Sequence, residues 1–194
     1  MANKFKIMDT NLVEENKKPN MIKPAMNFGL YFGVILVAFS VLSWALNMMM
    51  ESYLTYINYI VMIACLYFFA KKYRDEHAGG YITYGKALKF NALTLVFTSF
   101  IVGFYTFIFF KFIEPTMIEK ILEKTRDVMI EKNADLTEEQ IDIALAMQKK
   151  FMTPLLMFIS SIFGTYLMGI IFSLVTSIFV KKKDNTIDNS TIPQ

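Results

Sequence analysis

Long apolar runs without charge alternate along this chain with short charged connections. A helix needs about 20 apolar residues to cross roughly 30 Å of hydrocarbon. Helices of a soluble core carry a polar stripe at helical spacing, whereas four runs of this chain hold no Asp, Glu, Lys or Arg at all. We therefore predict an all-α integral membrane protein, a four-helix transmembrane bundle. The predicted spans are about 26–49, 53–70, 90–111 and 153–180.

The connection between the third and fourth spans has a different pattern. Apolar residues recur at helical spacing over 117–132, with charged residues on the other face, which is typical of an amphipathic helix. A break is predicted at 133–135. Thr137 and Gln140 then have the spacing of a capping box that opens another helix. The segment 112–152 is predicted to form an extracytoplasmic amphipathic helical hairpin.

Local signals indicate where several helices begin and end. Thr83 is predicted to cap the third helix and Ser52 the second. The second helix is predicted to end at Lys71 and Lys72. Pro115 is expected to stop the third helix at Glu114 and to begin the next helix, because proline suits the first helical position.

Composition agrees with a membrane protein. Apolar residues make up 55% of the chain and charged residues 19%, against about a quarter in soluble domains. The only cysteine, Cys65, has no partner for a disulfide. The N-terminus does not match a cleaved signal peptide, because its first apolar run begins only at Met26 and is too long. We interpret 1–25 as a polar cytoplasmic tail and 184–194 as a disordered one.

The distribution of positive charge predicts the orientation. The segments 1–25, 71–89 and 181–194 hold thirteen of the 20 Lys and Arg, and four spans place them on one side. The segment 111–151 holds seven basic and nine acidic residues. Because positive residues prefer the cytoplasm, we expect a multi-pass protein of the cell (inner) membrane with both termini cytoplasmic.

Two sets of residues are candidate interaction sites. Gly29 and Gly33 have the spacing that lets two membrane helices approach closely. Basic residues in the loop after the second span are expected to contact anionic lipid, or simply to set the topology. The candidate lipid contacts are Lys71, Lys72, Arg74, Lys86 and Lys89.

The loop also carries the residues of a family resemblance. Tyr73-Arg74-Asp75, the run Gly-Gly-Tyr-Ile-Thr-Tyr-Gly-Lys-Ala at 79–87, and Glu114-Pro115 resemble the bacterial membrane family labelled domain of unknown function 4199. The resemblance covers about 24–182 and implies fold and location without a catalytic residue. The family tends to have Ser-Phe-Gly-Glu where this chain has 83–86, and Asp where it has Glu114.

The predicted spans offer little for chemistry. Apart from Lys111 at the end of the third span, they contain no Asp, Glu, His, Lys or Arg, the groups that usually mark a functional site within a membrane. Asn47, Asn58 and Asn91 are interpreted as water-exposed groups near span ends. His77 is interpreted as a solvated loop residue, since a zinc site needs several ligands. The run 80–87 lacks the Ser or Thr that a phosphate-binding loop requires.

We expect a membrane protein that is not an enzyme, with no catalytic, cofactor-binding or metal-binding residue and no nucleic-acid partner. Its leading function is a structural, interaction or accessory role, through contact with the lipid bilayer and with a membrane protein or a second copy of itself. The alternative is a small transporter or channel. A membrane enzyme is a third and weaker interpretation, because no acid, base or nucleophile cluster converges.

Overall fold

A computed structural model of the protein describes residues 21–132 and 137–183. These residues form six α-helices and one π-helical turn. The elements are α1 (Ile22–Ala45), α2 (Ser52–His77), α3 (Tyr84–Ile108), the π-helical turn (Phe109–Ile113), α4 (Met117–Lys132), α5 (Glu138–Phe151) and α6 (Pro154–Val180).

Four of the described helices are long and apolar enough to cross a membrane: α1, α2, α3 with its π-helical turn, and α6. The predicted all-α, four-span fold is therefore confirmed. The helices α4 and α5 form the predicted amphipathic pair, and the side of the membrane on which they lie stays a prediction. The break predicted at 133–135, residues 1–20 of the N-terminal tail and the whole tail 184–194 lie outside the described residues.

Helix α1 begins at Ile22, four residues before the predicted span. Pro24 is accommodated because it lies in the first turn, where backbone N–H groups have no intrahelical acceptor. The helix ends at Ala45, and Asn47 reverses the chain with a positive φ of 56°. The prediction that Ser52 caps α2 is wrong. Glu51 has the extended backbone of the cap position, and Ser52 is the first helical residue.

Helix α2 continues to His77, so the prediction that it ends at Lys71 and Lys72 is wrong. Lysine is a good helix former, and charge marks the edge of the hydrocarbon rather than the end of a helix. Lys72 and Glu76 pair across one turn at 3.8 Å. The chain leaves the helix at Gly79 and Gly80, whose φ angles of 68° and 83° suit glycine.

The other predicted helix ends are mostly confirmed. The Thr83 hydroxyl accepts the Lys86 N–H at the start of α3, and Thr137 and Gln140 form the capping box of α5.

The third long helix stops at Ile113, just before Glu114, as predicted. Pro115 does not begin α4, which starts at Met117, because a hydrogen-bonded turn from Glu114 to Met117 intervenes.

Helix α3 is central in the bundle, between a parallel α1 and an antiparallel α6, and α2 closes the ring against α6 and α1. Gly29 and Gly33 of α1 lie directly against α3. A Cβ built on Gly29 would lie 2.7 Å from the Phe97 Cβ, and one on Gly33 would lie 2.8 Å from the Ile101 Cβ. The glycine pair thus packs within the chain and is not available as a contact for a partner.

The pair α4 and α5 is attached to the end of the bundle where α1 turns into α2. Met117 is buried there beside Phe109, Phe110 and the half-buried Trp44. The π-helical turn allows this, because the Glu114 N–H bonds back to the Phe109 carbonyl and both phenylalanines turn inward. Two ion pairs join α4 to α5: Arg126 to Asp142 at 2.8 Å and Lys149 to Glu119 at 3.9 Å.

Candidate functional site

At the opposite end of the bundle, the loop after α2 is joined to the end of α6. Ile82 and Lys182 exchange two backbone hydrogen bonds, of 3.0 and 2.9 Å. The guanidinium of Arg74 donates a hydrogen bond of 3.1 Å to the Val180 carbonyl and is paired with Asp75 at 2.7 Å. These contacts bring the lysines after α6 beside the first turn of α3.

The five predicted lipid contacts are not equivalent. Only 14% of the Arg74 side chain is exposed, because it is used within the protein. Lys72 is paired with Glu76, and the Lys71 amine lies 6.0 Å from the Tyr67 ring centroid. Lys86 is different, since it lines an open cavity of about 580 Å³ together with Lys182 and Lys183. Sequence reasoning missed the two C-terminal lysines, because nothing local links them to the loop.

His77 is exposed, as predicted, but it lies in the last turn of α2 and not in the loop. Its ring stacks on Tyr73 at 5.7 Å and is edge-on to Phe28 at 6.4 Å. Among residues 21–132 and 137–183, no group of three or more His, Cys, Asp or Glu side chains could hold a metal ion. The ring contacts give His77 a packing role at this end of the bundle.

The interpretation of Asn91 was also wrong. The residue is fully buried, and neither atom of its amide has a hydrogen-bond partner in the described structure. Ile82 opposite Lys182 and Leu95 opposite Gly169 fix the antiparallel register of α3 and α6. That register places Asn91 level with Ser173, which is equally buried and unpartnered. The burial of Asn91 could not be predicted from the sequence, because the face of α3 that points inward is set by packing against α6.

Uncharged polar groups line a second cavity, of about 320 Å³, between α1 and α2 near their connection. Its polar residues are Ser40, Ser43, Thr55, Asn58, Tyr59 and Thr165. Gly164 of α6 also lines it, and a Cβ there would meet nothing within 4 Å. Towards the other end of the bundle, aromatic rings fill the space between α1 and α2. The ring centroid of Phe69 lies 5.4 Å from that of Phe28 and 5.9 Å from that of Phe32.

A third cavity is an apolar groove of about 510 Å³ between α4 and the connection from α1 to α2. We call it the methionine groove. Its lining residues are Met49, Met50, Met117, Ile121, Lys124, Thr125, Val128 and Met129. The Lys124 amine donates to the Met50 carbonyl at one edge. Methionine is flexible and polarizable, which suits a surface that adapts to an apolar partner.

Comparison with known proteins agrees with this architecture. The family model described as a protein of unknown function (DUF4199) matches residues 27–182. The chain belongs to the DUF4199 family. The suspected family is therefore confirmed, and the match runs from α1 to the lysines after α6. No curated protein and no solved structure matches this DUF4199 protein.

Proposed function

We propose that this DUF4199 protein is a non-enzymatic accessory protein that binds an apolar helix of another membrane protein, or of a second copy, in the methionine groove. The groove carries the proposal because it is apolar and open. Val128 is 39% exposed on its wall. An amphipathic helix docks by laying its apolar face in such a groove.

A photocrosslinking experiment tests the groove directly. Benzoylphenylalanine at position 128 should give a discrete adduct in native membranes, and Met129→Asp in the same chain should remove it. Position 123 is the matched control, because Glu123 lies on the same helix but does not line the groove. Adducts of equal yield at both positions, or none at position 128, would overturn the proposal. An adduct of twice the mass of the chain would identify a second copy.

We propose that both termini and the loop after α2 lie in the cytoplasm of a bacterial cell and that α4 and α5 lie outside it. Thirteen of the 20 Lys and Arg lie in the two tails and the loop after α2, and this excess supports the orientation. Reporter fusions test it after Asp135 and after Gln194. A periplasmic reporter should be active only at the first position and a cytoplasmic reporter only at the second. The reverse pattern would refute the orientation.

The polar cavity between α1 and α2 favours a second candidate function, passage of a small uncharged solute. Its hydroxyl and amide lining offers hydrogen bonds without charge. Liposomes containing the protein should then swell faster in glycerol than empty liposomes, and Gly164→Leu should abolish the difference by filling the cavity. Gly85→Leu is the control, because a Cβ there also meets nothing but lies outside the cavity. Swelling at the rate of empty liposomes would exclude this function for glycerol.

A further inference from the structure

We propose that Lys86, Lys182 and Lys183 form a binding site for a phosphate group, that of an anionic lipid. The three lysines line one open cavity of about 580 Å³ at the loop end of the bundle. This site is independent of the methionine groove, which lies at the other end. We call it the lysine pocket.

The backbone holds the lysine pocket together. The backbone of Lys182 is fixed two residues before the start of α3, because its N–H and its C=O both bond to Ile82. Its amine lies 5.4 Å from the centroid of the Tyr81 ring, which holds the side chain over the loop. Thr83 caps α3 at the same place, so the first N–H groups of the helix, without intrahelical acceptors, add positive potential to the pocket wall.

The charge of the pocket is not balanced by its own walls. The lining contains no Asp or Glu, and in the described part of the chain no carboxylate lies within ion-pair distance of the three amines. Two acids near the end of α2 have other main partners: Glu76 pairs with Lys72, and the pKa of Asp75 is lowered mainly by Arg74 and only to a smaller extent by Lys71 and Lys182. Asp184, which follows Lys183, lies outside the described residues. Three lysines that line one cavity, with no acid in its described lining, favour an anion with several acceptor oxygens, which is the chemistry of phosphate.

The position of the pocket favours a lipid as the source of the phosphate. Ile178 and Phe179, one turn before the pocket lysines, are 51% and 70% exposed on the outside of α6. Such apolar exposure at the end of a spanning helix marks the edge of the hydrocarbon. The pocket therefore lies at headgroup depth, where basic residues interact with anionic lipids.

Lysine acylation in nanodiscs distinguishes a site from diffuse attraction and a lipid from a soluble ion. Three conditions are compared: phosphatidylcholine alone, an equimolar mixture with phosphatidic acid, and phosphatidylcholine with inorganic phosphate in solution. Phosphatidic acid should protect Lys86, Lys182 and Lys183 from acylation much more than Lys71 and Lys89. The same pattern with inorganic phosphate would identify free phosphate as the ligand. Equal protection of all five lysines, or none, would overturn the proposal.

Paired variants supply an independent measurement. Lys182→Gln with Lys183→Gln should weaken phosphatidic acid binding about 30-fold in native mass spectrometry, from the usual contribution of two basic residues at an anionic surface. The matched control is Lys71→Gln with Lys72→Gln, which removes the same charge at the same end of the bundle. It should weaken binding much less, because neither residue lines the pocket and Lys72 is already paired with Glu76. The glutamine variants keep the backbone bridge to Ile82. Equal losses in the two pairs would refute a specific pocket.

Discussion

The hydroxyl oxygen of Thr98 lies 3.1 Å from the carbonyl oxygen of Gly29, on a neighbouring helix. The same hydroxyl is 3.0 Å from the Thr94 carbonyl of its own helix. A threonine can reach a carbonyl across a helix pair only where the backbones are close, and Gly29 provides that closeness by having no side chain. The contact therefore shows that the glycine pair of α1, Gly29 and Gly33, packs on the central helix α3.

We expect Gly29→Ala to destabilise the bundle by about 1–3 kcal/mol, the usual cost of overpacking. The new Cβ would lie 2.7 Å from both the Thr94 carbonyl oxygen and the Phe97 Cβ, and backbone atoms cannot yield without moving α1 from α3. Unfolding in mixed micelles measures the loss. Gly85→Ala is the control, since its Cβ meets nothing within 4 Å. A loss of the same size in both variants would contradict this account.

A second prediction concerns the pair of α3 and α6. A Cβ on Gly169 would lie 2.3 Å from the Leu95 Cδ2, and Leu95 is fully buried. Gly169→Ala should therefore destabilise the protein, and Leu95→Ala should destabilise it by leaving a cavity. In the double variant the new methyl group occupies part of the space that Leu95 vacates. A double-mutant cycle should give a favourable coupling of about 0.5–3 kcal/mol, and simple additivity would show that the two residues do not meet.

Replacing Asn91 by leucine should stabilise the protein. Its buried amide has no hydrogen-bond partner in the described structure, and an unsatisfied buried polar group costs about 1–3 kcal/mol. Leucine has the same number of side-chain heavy atoms and the same branching, and it needs no partner. Asn58→Leu is the comparison, because Asn58 lines the polar cavity and is only half-buried. Loss of stability in Asn91→Leu would mean that the amide is bonded in the membrane.

Acid should loosen the start of α4. The hydrogen bond from the Thr116 hydroxyl, then the Lys120 amine 3.1 Å away, lowers the pKa of Glu114 below its ordinary value. A lowered folded-state pKa contributes stability that is complete above the unfolded pKa and is lost as the pH falls through the folded one. The hydrogen-exchange protection factors of the first α4 amides, taken relative to the intrinsic rate at each pH, should therefore fall in that acid range. Glu114→Gln should remove the pH dependence, and an unchanged profile would contradict this role.

The spanning helices and several of their caps could be predicted because their causes are local. Charge-free runs define the spans, and the hydroxyls of Thr83 and Thr137 each accept a backbone N–H three residues ahead. Helix α2 was predicted too short because the charges at Lys71 and Lys72 were read as a helix end. The charged residues indicate where the hydrocarbon of the membrane ends, but the helix itself continues to His77.

The sequence by itself determined that this is a four-span membrane protein of the DUF4199 family, because hydropathy and short motifs are properties of neighbouring residues. The tertiary structure decided which helices meet. It set Gly29 against Phe97 and buried Asn91 at the level of Ser173. It also gathered Lys86 and Lys182 into one pocket. These contacts join residues far apart in the chain, and their register depends on how whole helices pack.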